Sequence, residues 1–160
     1  MNPEELDEIF ADDGDNVGFV GDPHRILDSK NRIAMPPEYK KKFGGKCFYV
    51  ICIPCDKGKC LRIYKKEDIK SVVNEEDFAS DDPMAKQDFK RYIYSRFNRC
   101  ELDAQGRFSV EKRFLEFAGI DKEVVLFGVD KRIEMWNPEQ YEIHVMHASE
   151  TKFGTYVPKI

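Results

Sequence analysis

Five residues occur twice in this chain, and no other feature restricts its fold as strongly. Asp28-Ser29-Lys30-Asn31-Arg32 returns 75 positions later as Asp103-Ala104-Gln105-Gly106-Arg107. Apolar alternations flank each copy, Ile26-Leu27 and Ile33 to Met35 around the first, Leu102 and Phe108 to Val110 around the second. Such flanks predict two strands meeting at a tight turn. Asp suits the first turn position because its carboxylate accepts local backbone N–H bonds. Asn or Gly suits the fourth, where a positive φ closes the turn. The arginine then leaves a turn pinned at its base. Two such loops present cations to an anion, and the anion that fits the reading is DNA.

The repeat continues beyond the loops. Phe43-Gly44 maps on Ala118-Gly119 and Val50-Ile51 on Val125-Leu126, all at a spacing of 75. Leu61, Ile63 and Tyr64 map on Ile133, Met135 and Trp136 at 72, as Glu67 does on Glu139. The difference of three is assigned to a shorter hairpin loop, 128–132 against 54–59. Two copies of this length are a duplicated supersecondary unit; a solenoid needs more copies of a shorter period.

The formal net charge of −4 argues against a nucleic-acid partner until its distribution is considered. Residues 1–23 carry −8, 24–66 carry +9, 67–85 carry −6, 86–99 carry +4 and 100–160 carry −3. A field follows local charge, so a strongly basic half can hold phosphates within an acidic chain. No apolar run approaches the roughly 20 residues of a membrane span, and no basic and apolar leader opens the chain. The 5 cysteines are odd in number and clustered, unlike a secreted disulfide framework. A cytoplasmic location is expected.

The chain divides into an acidic extension over 1–17, a first β-unit over 18–73, a linker and helix over 74–99, a second β-unit over 100–145 and a tail over 146–160. The extension holds Leu6, Ile9 and Phe10 among its acids and is expected to be disordered. Its alternative role is to dock on a partner or on the chain's own basic face, in competition with DNA. Pro36-Pro37-Glu38 starts a short helix that Gly44-Gly45 stops. Its Lys40, Lys41 and Lys42 gain interest from Lys30 and Arg32 nearby in sequence. Residues 47–52 and 61–64 predict one hairpin, 123–127 and 132–136 its counterpart. Residues 66–73 and 111–118 predict short helices, and Asn137-Pro138-Glu139 opens a last one. Met84, Phe89, Ile93 and Phe97 predict a helix over 84–99 with an apolar core face.

These residues carry a family resemblance. Gly21, Leu27 to Arg32 and Pro36 resemble the first repeat signature of the bacterial MraZ family. Residues 101–107, 125–129 and 132–136 are similar to its second half almost position by position. The resemblance spans 19–141 and rests on two signatures at the family's spacing. It implies a mainly β, α+β fold: two tandem AbrB-like β-units with short helices, fused in one chain. It implies a transcriptional regulator, not an enzyme, that binds direct repeats of double-stranded promoter DNA upstream of the division and cell-wall gene cluster. It implies a closed homo-oligomeric ring and a nucleoid-associated location. DNA contact then falls on Arg32 and Arg107, with Lys30, Asn31, Arg25, Lys41 and Gln105 beside them, while Asp28 and Asp103 orient the turns. The chain departs from the family at Asn31, which replaces the usual glycine, in the acidic extension, and at Gln105, which makes the second loop less cationic than the first. Arg32 is therefore expected to matter more than Arg107. Exposed aromatics such as Trp136 and Phe127 on hairpin edges are expected to need neighbouring subunits.

Other chemistries find little support. Cys47, Cys52, Cys55 and Cys60 could offer thiolates to zinc, but only one Cys-x-x-Cys pair exists, and buried or surface thiols are the plainer reading. His24 could touch DNA beside Arg25; His144 and His147 are expected to be exposed. No catalytic triad, phosphate loop or carboxylate pair appears, and no cofactor is expected. The competing reading is an AbrB-fold, antitoxin-like module that binds a partner protein as well as DNA.

Overall fold

The structure, a computed structural model, describes residues 17–52, 58–73 and 81–159. The acidic extension over 1–16, Cys55 with the tip of the first hairpin, and residues 74–80 of the linker lie outside the described residues. Eight described strands fall into one six-stranded sheet and one two-stranded ribbon, which with the short helices makes a mainly β, α+β fold.

The strands are β1 His24–Ile26, β2 Arg32–Ala34, β3 Phe48–Ile51, β4 Leu61–Lys65, β5 Phe97–Cys100, β6 Arg107–Ser109, β7 Glu123–Val129 and β8 Arg132–Trp136. The sheet runs in the order β1-β7-β8-β4-β3-β5, and β2 pairs with β6. The helices are α1 Pro37–Phe43, α2 Ile69–Val72, α3 Pro83–Ser95, α4 Lys112–Phe117, α5 Pro138–Tyr141 and α6 Ala148–Phe153, with a π-helical segment Glu142–His147 between the last two. Proline in the first turn and a left-handed Gly44 at the end bound α1, as its sequence predicts. Asn137 caps α5 by accepting from the N–H groups of Glu139 and Gln140.

One face of the sheet, the ribbon, α1 and α4 enclose the core. Phe19, Phe43, Phe48 and Phe108 form a chain of rings through it, at centroid distances of 5.3, 4.8 and 5.3 Å. Burial of each such ring contributes about 1.5–3 kcal/mol. On the opposite face a smaller cluster joins Cys60, Val125, Trp136 and Tyr141. The Tyr141 hydroxyl donates to Asp22 Oδ2 at 2.9 Å, which ties this face to the segment entering β1.

The register relates the two copies. Ile33 stands opposite Phe108 in the ribbon, and Arg62 stands opposite Glu134 across β4 and β8. Both are pairs of residues equivalent in the sequence repeat. They are also interlaced, because β1 pairs with β7 and β5 with β3. The segment before β1 continues this pairing: Phe19 N–H donates to Asp130 O at 2.7 Å and Gly128 N–H to Gly21 O at 2.8 Å.

The structure corrects the sequence reading in four places. First, Val50 corresponds to Leu126 at 76 and not to Val125, since Val50 pairs with Ile63 while Leu126 pairs with Met135. Val124, Val125 and Leu126 are all buried, so the strand is apolar on both faces and its phase is not visible in the sequence. The second copy therefore gains one residue after Gly119 and loses four, not three, in the hairpin. Second, the helix expected over 84–99 ends at Ser95, and Phe97 belongs to edge strand β5. Met84, assigned to a core face, is 67% exposed, while Ile93 is buried. Third, Trp136 is covered within its own chain, with the His144 ring stacked on it at 6.2 Å. It therefore offers no argument for a neighbouring subunit. Fourth, His144 is half-buried rather than exposed and shares a hydrogen bond with Gln140 Oε1 at 3.0 Å, whereas His147 is exposed.

Candidate nucleic-acid interface

The repeated pentapeptides form two matching turns. In the first, Asn31 N–H donates to Asp28 O at 2.9 Å and Asp28 N–H to Arg32 O at 3.0 Å. In the second, Gly106 N–H donates to Asp103 O at 3.0 Å and Asp103 N–H to Arg107 O at 2.8 Å. Asn31 has φ 58° and Gly106 φ 76°, so Asn keeps the left-handed corner where the other copy has glycine. Asp28 Oδ1 accepts from the N–H groups of Lys30 and Arg32, both at 2.9 Å. Asp103 Oδ1 does the same for Gln105 at 2.9 Å and Arg107 at 3.0 Å.

Strand alternation fixes where the arginines go. Ile33 and Phe108 point into the core, so Arg32 and Ala34 on β2 and Arg107 and Ser109 on β6 face outward. Arg32 stands opposite Ser109 and Arg107 opposite Ala34, which places the arginines on one diagonal of the outer face. Asp28 sits between them. Its Oδ2 accepts from Arg32 Nε at 2.7 Å and from Arg107 Nη1 at 3.3 Å. Asp103 Oδ2 lies 3.5 Å from Arg107 Nε, a nitrogen that is buried and makes no hydrogen bond.

These contacts set the charge state. The backbone N–H of Arg32, then the Arg32 side chain and the N–H of Lys30, draw the Asp28 carboxyl from its ordinary 3.8 to about 2. Asp103 is lowered by the N–H of Arg107, that of Gln105 and the charges of both arginines. Both carboxylates are therefore ionised at neutral pH and act as fixed anchors.

Lys30, Asn31 and Gln105 are exposed on the turns. Arg25 lies on edge strand β1, where its Nη1 donates to His24 O at 2.9 Å, outside the four-residue cluster. The Lys40–Lys42 triplet does not accompany the first loop, its neighbour in sequence. Interlacing carries α1 to the second loop, where the Lys40 side chain ends 3.8 Å from the position a Gly106 Cβ would occupy. Lys40, Lys41 and Lys46 line a groove of about 510 Å³ with Glu101, Leu102 and Asp103. The repeat-related groove beside Asn31, about 360 Å³, is lined by Lys112, Leu115, Glu116 and Asp121. At one corresponding position the first groove has Lys41 and the second Glu116, and Asp121 is a further acid of the second groove. Lys46 escaped the sequence reading because its importance lies in a neighbour 57 positions away, Asp103.

Other candidates separate from this face. Cys52 and Cys60 are buried and Cys47 is half-buried, and none of the three forms a disulfide among the described residues. Among the described residues no cluster of His, Cys, Asp and Glu could hold a metal ion. No described helix is long and apolar enough to cross a membrane.

A family model described as "MraZ protein, putative antitoxin-like" matches residues 93–155. A relative from Nitrosomonas europaea named Transcriptional regulator MraZ is 30% identical over 145 residues, covering 89% of this chain and 96% of its own. Proteins of the same name from Moorella thermoacetica and Mesomycoplasma hyopneumoniae are 31% and 34% identical, covering 82% and 78% of this chain and 90% and 82% of theirs. By this extent of likeness the chain belongs to the MraZ family, a family of transcriptional regulators and not of enzymes.

Proposed function

We propose that the chain regulates transcription by binding double-stranded promoter DNA with the outer face of the β2–β6 ribbon. The observation that carries this reading is the single carboxylate of Asp28 holding Arg32 at 2.7 Å and Arg107 at 3.3 Å on one solvent-facing diagonal. A two-stranded antiparallel ribbon fits the major groove, and a guanidinium anchored through Nε keeps its fork for guanine or phosphate. Lys30, Asn31, Gln105, Lys41 and Arg25 lie on or around that face as accessory contacts, and Asp28 and Asp103 orient the turns.

In this reading the two repeats, 18–73 and 100–145, each contribute one loop. The chain assembles as a homo-oligomeric ring in the cytoplasm, on the nucleoid. Several ribbons then meet direct repeats upstream of the division and cell-wall gene cluster, so that each loop's loss multiplies through avidity. The test is a mobility-shift titration on DNA upstream of the chain's own gene, with Arg32→Ala and Arg107→Ala beside the parent and circular dichroism as the folding control. Loss of the shift in folded variants is expected. Parental binding by both variants would make the turns scaffolding. Light scattering on the same samples checks assembly, and a monomer of 18.7 kDa at micromolar concentration would remove the ring. Co-purification of a bound protein in place of a DNA shift would favour the antitoxin-like alternative.

A further inference from the structure

We infer that the two loops divide the labour of DNA binding, the second with the α1 lysines clamping phosphate and the first reading bases through Arg32. This rests on the DNA-binding reading above and concerns what each loop does within it.

The grooves beside the loops are related by the repeat but inverted in charge. Beside the second loop stand Lys40, Lys41 and Lys46, none of which has a carboxylate within ion-pair distance among the described residues. The two acids lining the same groove are already engaged. Glu101 Oε1 accepts from Arg99 Nη2 at 2.8 Å, and Asp103 is bound into its turn and lies 3.5 Å from Arg107 Nε. Three uncommitted ammonium groups around a concave surface suit a phosphate backbone, to which lysine binds as a point charge. Beside the first loop the only lining lysine, Lys112, lies 3.9 Å from Glu116, and Asp121 adds a further negative charge. That groove repels a phosphate run.

The arginines differ in the complementary sense. Arg107 directs Nη1 at Asp28 at 3.3 Å and holds Nε 3.5 Å from Asp103, so its guanidinium lies against two carboxylates and one terminal nitrogen of its fork is engaged. Arg32 is held through Nε alone, and among the described residues neither of its Nη atoms has a partner. A guanidinium gripped at the stem with both terminal nitrogens open is arranged for the bidentate contact that reads guanine O6 and N7. Contacts to phosphate fix register without sequence information, whereas contacts to base edges discriminate.

The experiment compares two duplexes, the fragment upstream of the chain's own gene and a scrambled fragment of equal length and composition, across a range of salt concentrations. Lys40→Ala/Lys41→Ala/Lys46→Ala should weaken both by the same factor. It should flatten the salt dependence by roughly 0.9 per phosphate released, about 2 to 3 units in all, and leave the specificity ratio unchanged. Arg32→Ala should cut the specificity ratio by about tenfold to a hundredfold and flatten the slope by about one unit or less. Glu116→Lys/Asp121→Lys, on the mirror groove, should tighten both duplexes and steepen the slope. The inference is overturned if the triple variant keeps the parental slope or loses the specificity ratio, or if Arg32→Ala weakens both duplexes equally. If Arg32→Ala and Arg107→Ala both bind as the parent does, the DNA-binding reading itself fails, a result separable from these.

Discussion

Asp28 and Arg107 are 79 positions apart in sequence, yet Asp28 Oδ2 and Arg107 Nη1 lie 3.3 Å apart. That contact couples the two loops into one unit. Asp28→Asn keeps the turn's backbone acceptor but removes the charge that both guanidiniums share. DNA affinity should fall for this variant by about tenfold or more, and Asp103→Asn should cost less, because only one arginine lies against Asp103. Mobility-shift titration of the two variants side by side checks the order.

The same pair gives a pH signature. Asp28 is depressed to about 2 from 3.8, so the stability it contributes is present above pH 3.8 and disappears as pH falls through about 2. The turns should remain formed at pH 4 and open as pH falls through about 2. Carbon-13 NMR of the aspartate side chains should show two carboxyls, Asp28 and Asp103, titrating below the ordinary range. A midpoint for Asp28 near 4 would contradict the hydrogen bonding described.

Gly128 supports the interlacing. A Cβ there would stand 2.5 Å from Val20 N and 2.8 Å from the Tyr39 hydroxyl, which itself lies 2.7 Å from Val20 O. Overpacking of a site bounded by backbone costs about 1–3 kcal/mol. Gly128→Ala should lower the unfolding free energy by that amount, read as a lower urea midpoint at unchanged slope. Gly45→Ala, with nothing within 4 Å but a φ of 75°, should cost about 1–2 kcal/mol through backbone strain alone.

Glu134 is buried, and its oxygens accept from Arg132 Nε at 2.9 Å and Trp136 Nε1 at 3.0 Å. Glu134→Ala leaves the indole N–H without its acceptor in a buried site, a cost of about 1–3 kcal/mol. The chain has 1 tryptophan, so its fluorescence reports this face directly. The variant should shift Trp136 emission and unfold at lower denaturant. Parental emission would place the indole N–H elsewhere.

The turns were the most legible part of the chain, because Asp at one end and Asn or Gly near the other carry a local mechanism that acts over five residues. The hairpins and α1 were legible for the same reason. Strand β5 was not. Phe97 continues the helical period of Met84, Phe89 and Ile93, and nothing local announces that Arg96 ends the helix and that β3 offers an edge to pair with. The phase of β7 was hidden by its apolar character on both faces. The candidate site divides in the same way. Each arginine could be read from its own loop, but the sharing of Asp28 and the placement of the α1 lysines arise from pairing between distant strands. The reversal of charge between Lys41 and its equivalent Glu116 takes its spatial meaning only from the fold.

The exchange of β1 and β5 between the copies has a consequence for synthesis on the ribosome. The local part of the sheet, β4-β3-β5, can close once Cys100 has emerged, since its strands are near in sequence. The ribbon must wait for β6, and β1 must wait for β7, about a hundred residues after it was made. Until then the nascent chain carries an unpaired strand and an open apolar face, the condition under which long-range β pairing is slow and prone to misassembly. A stalled nascent chain with residues up to 103 clear of the exit tunnel should therefore be cut readily by protease between 17 and 35 while resisting within β3 and β4, and one extended past Trp136 and clear of the exit tunnel should resist throughout.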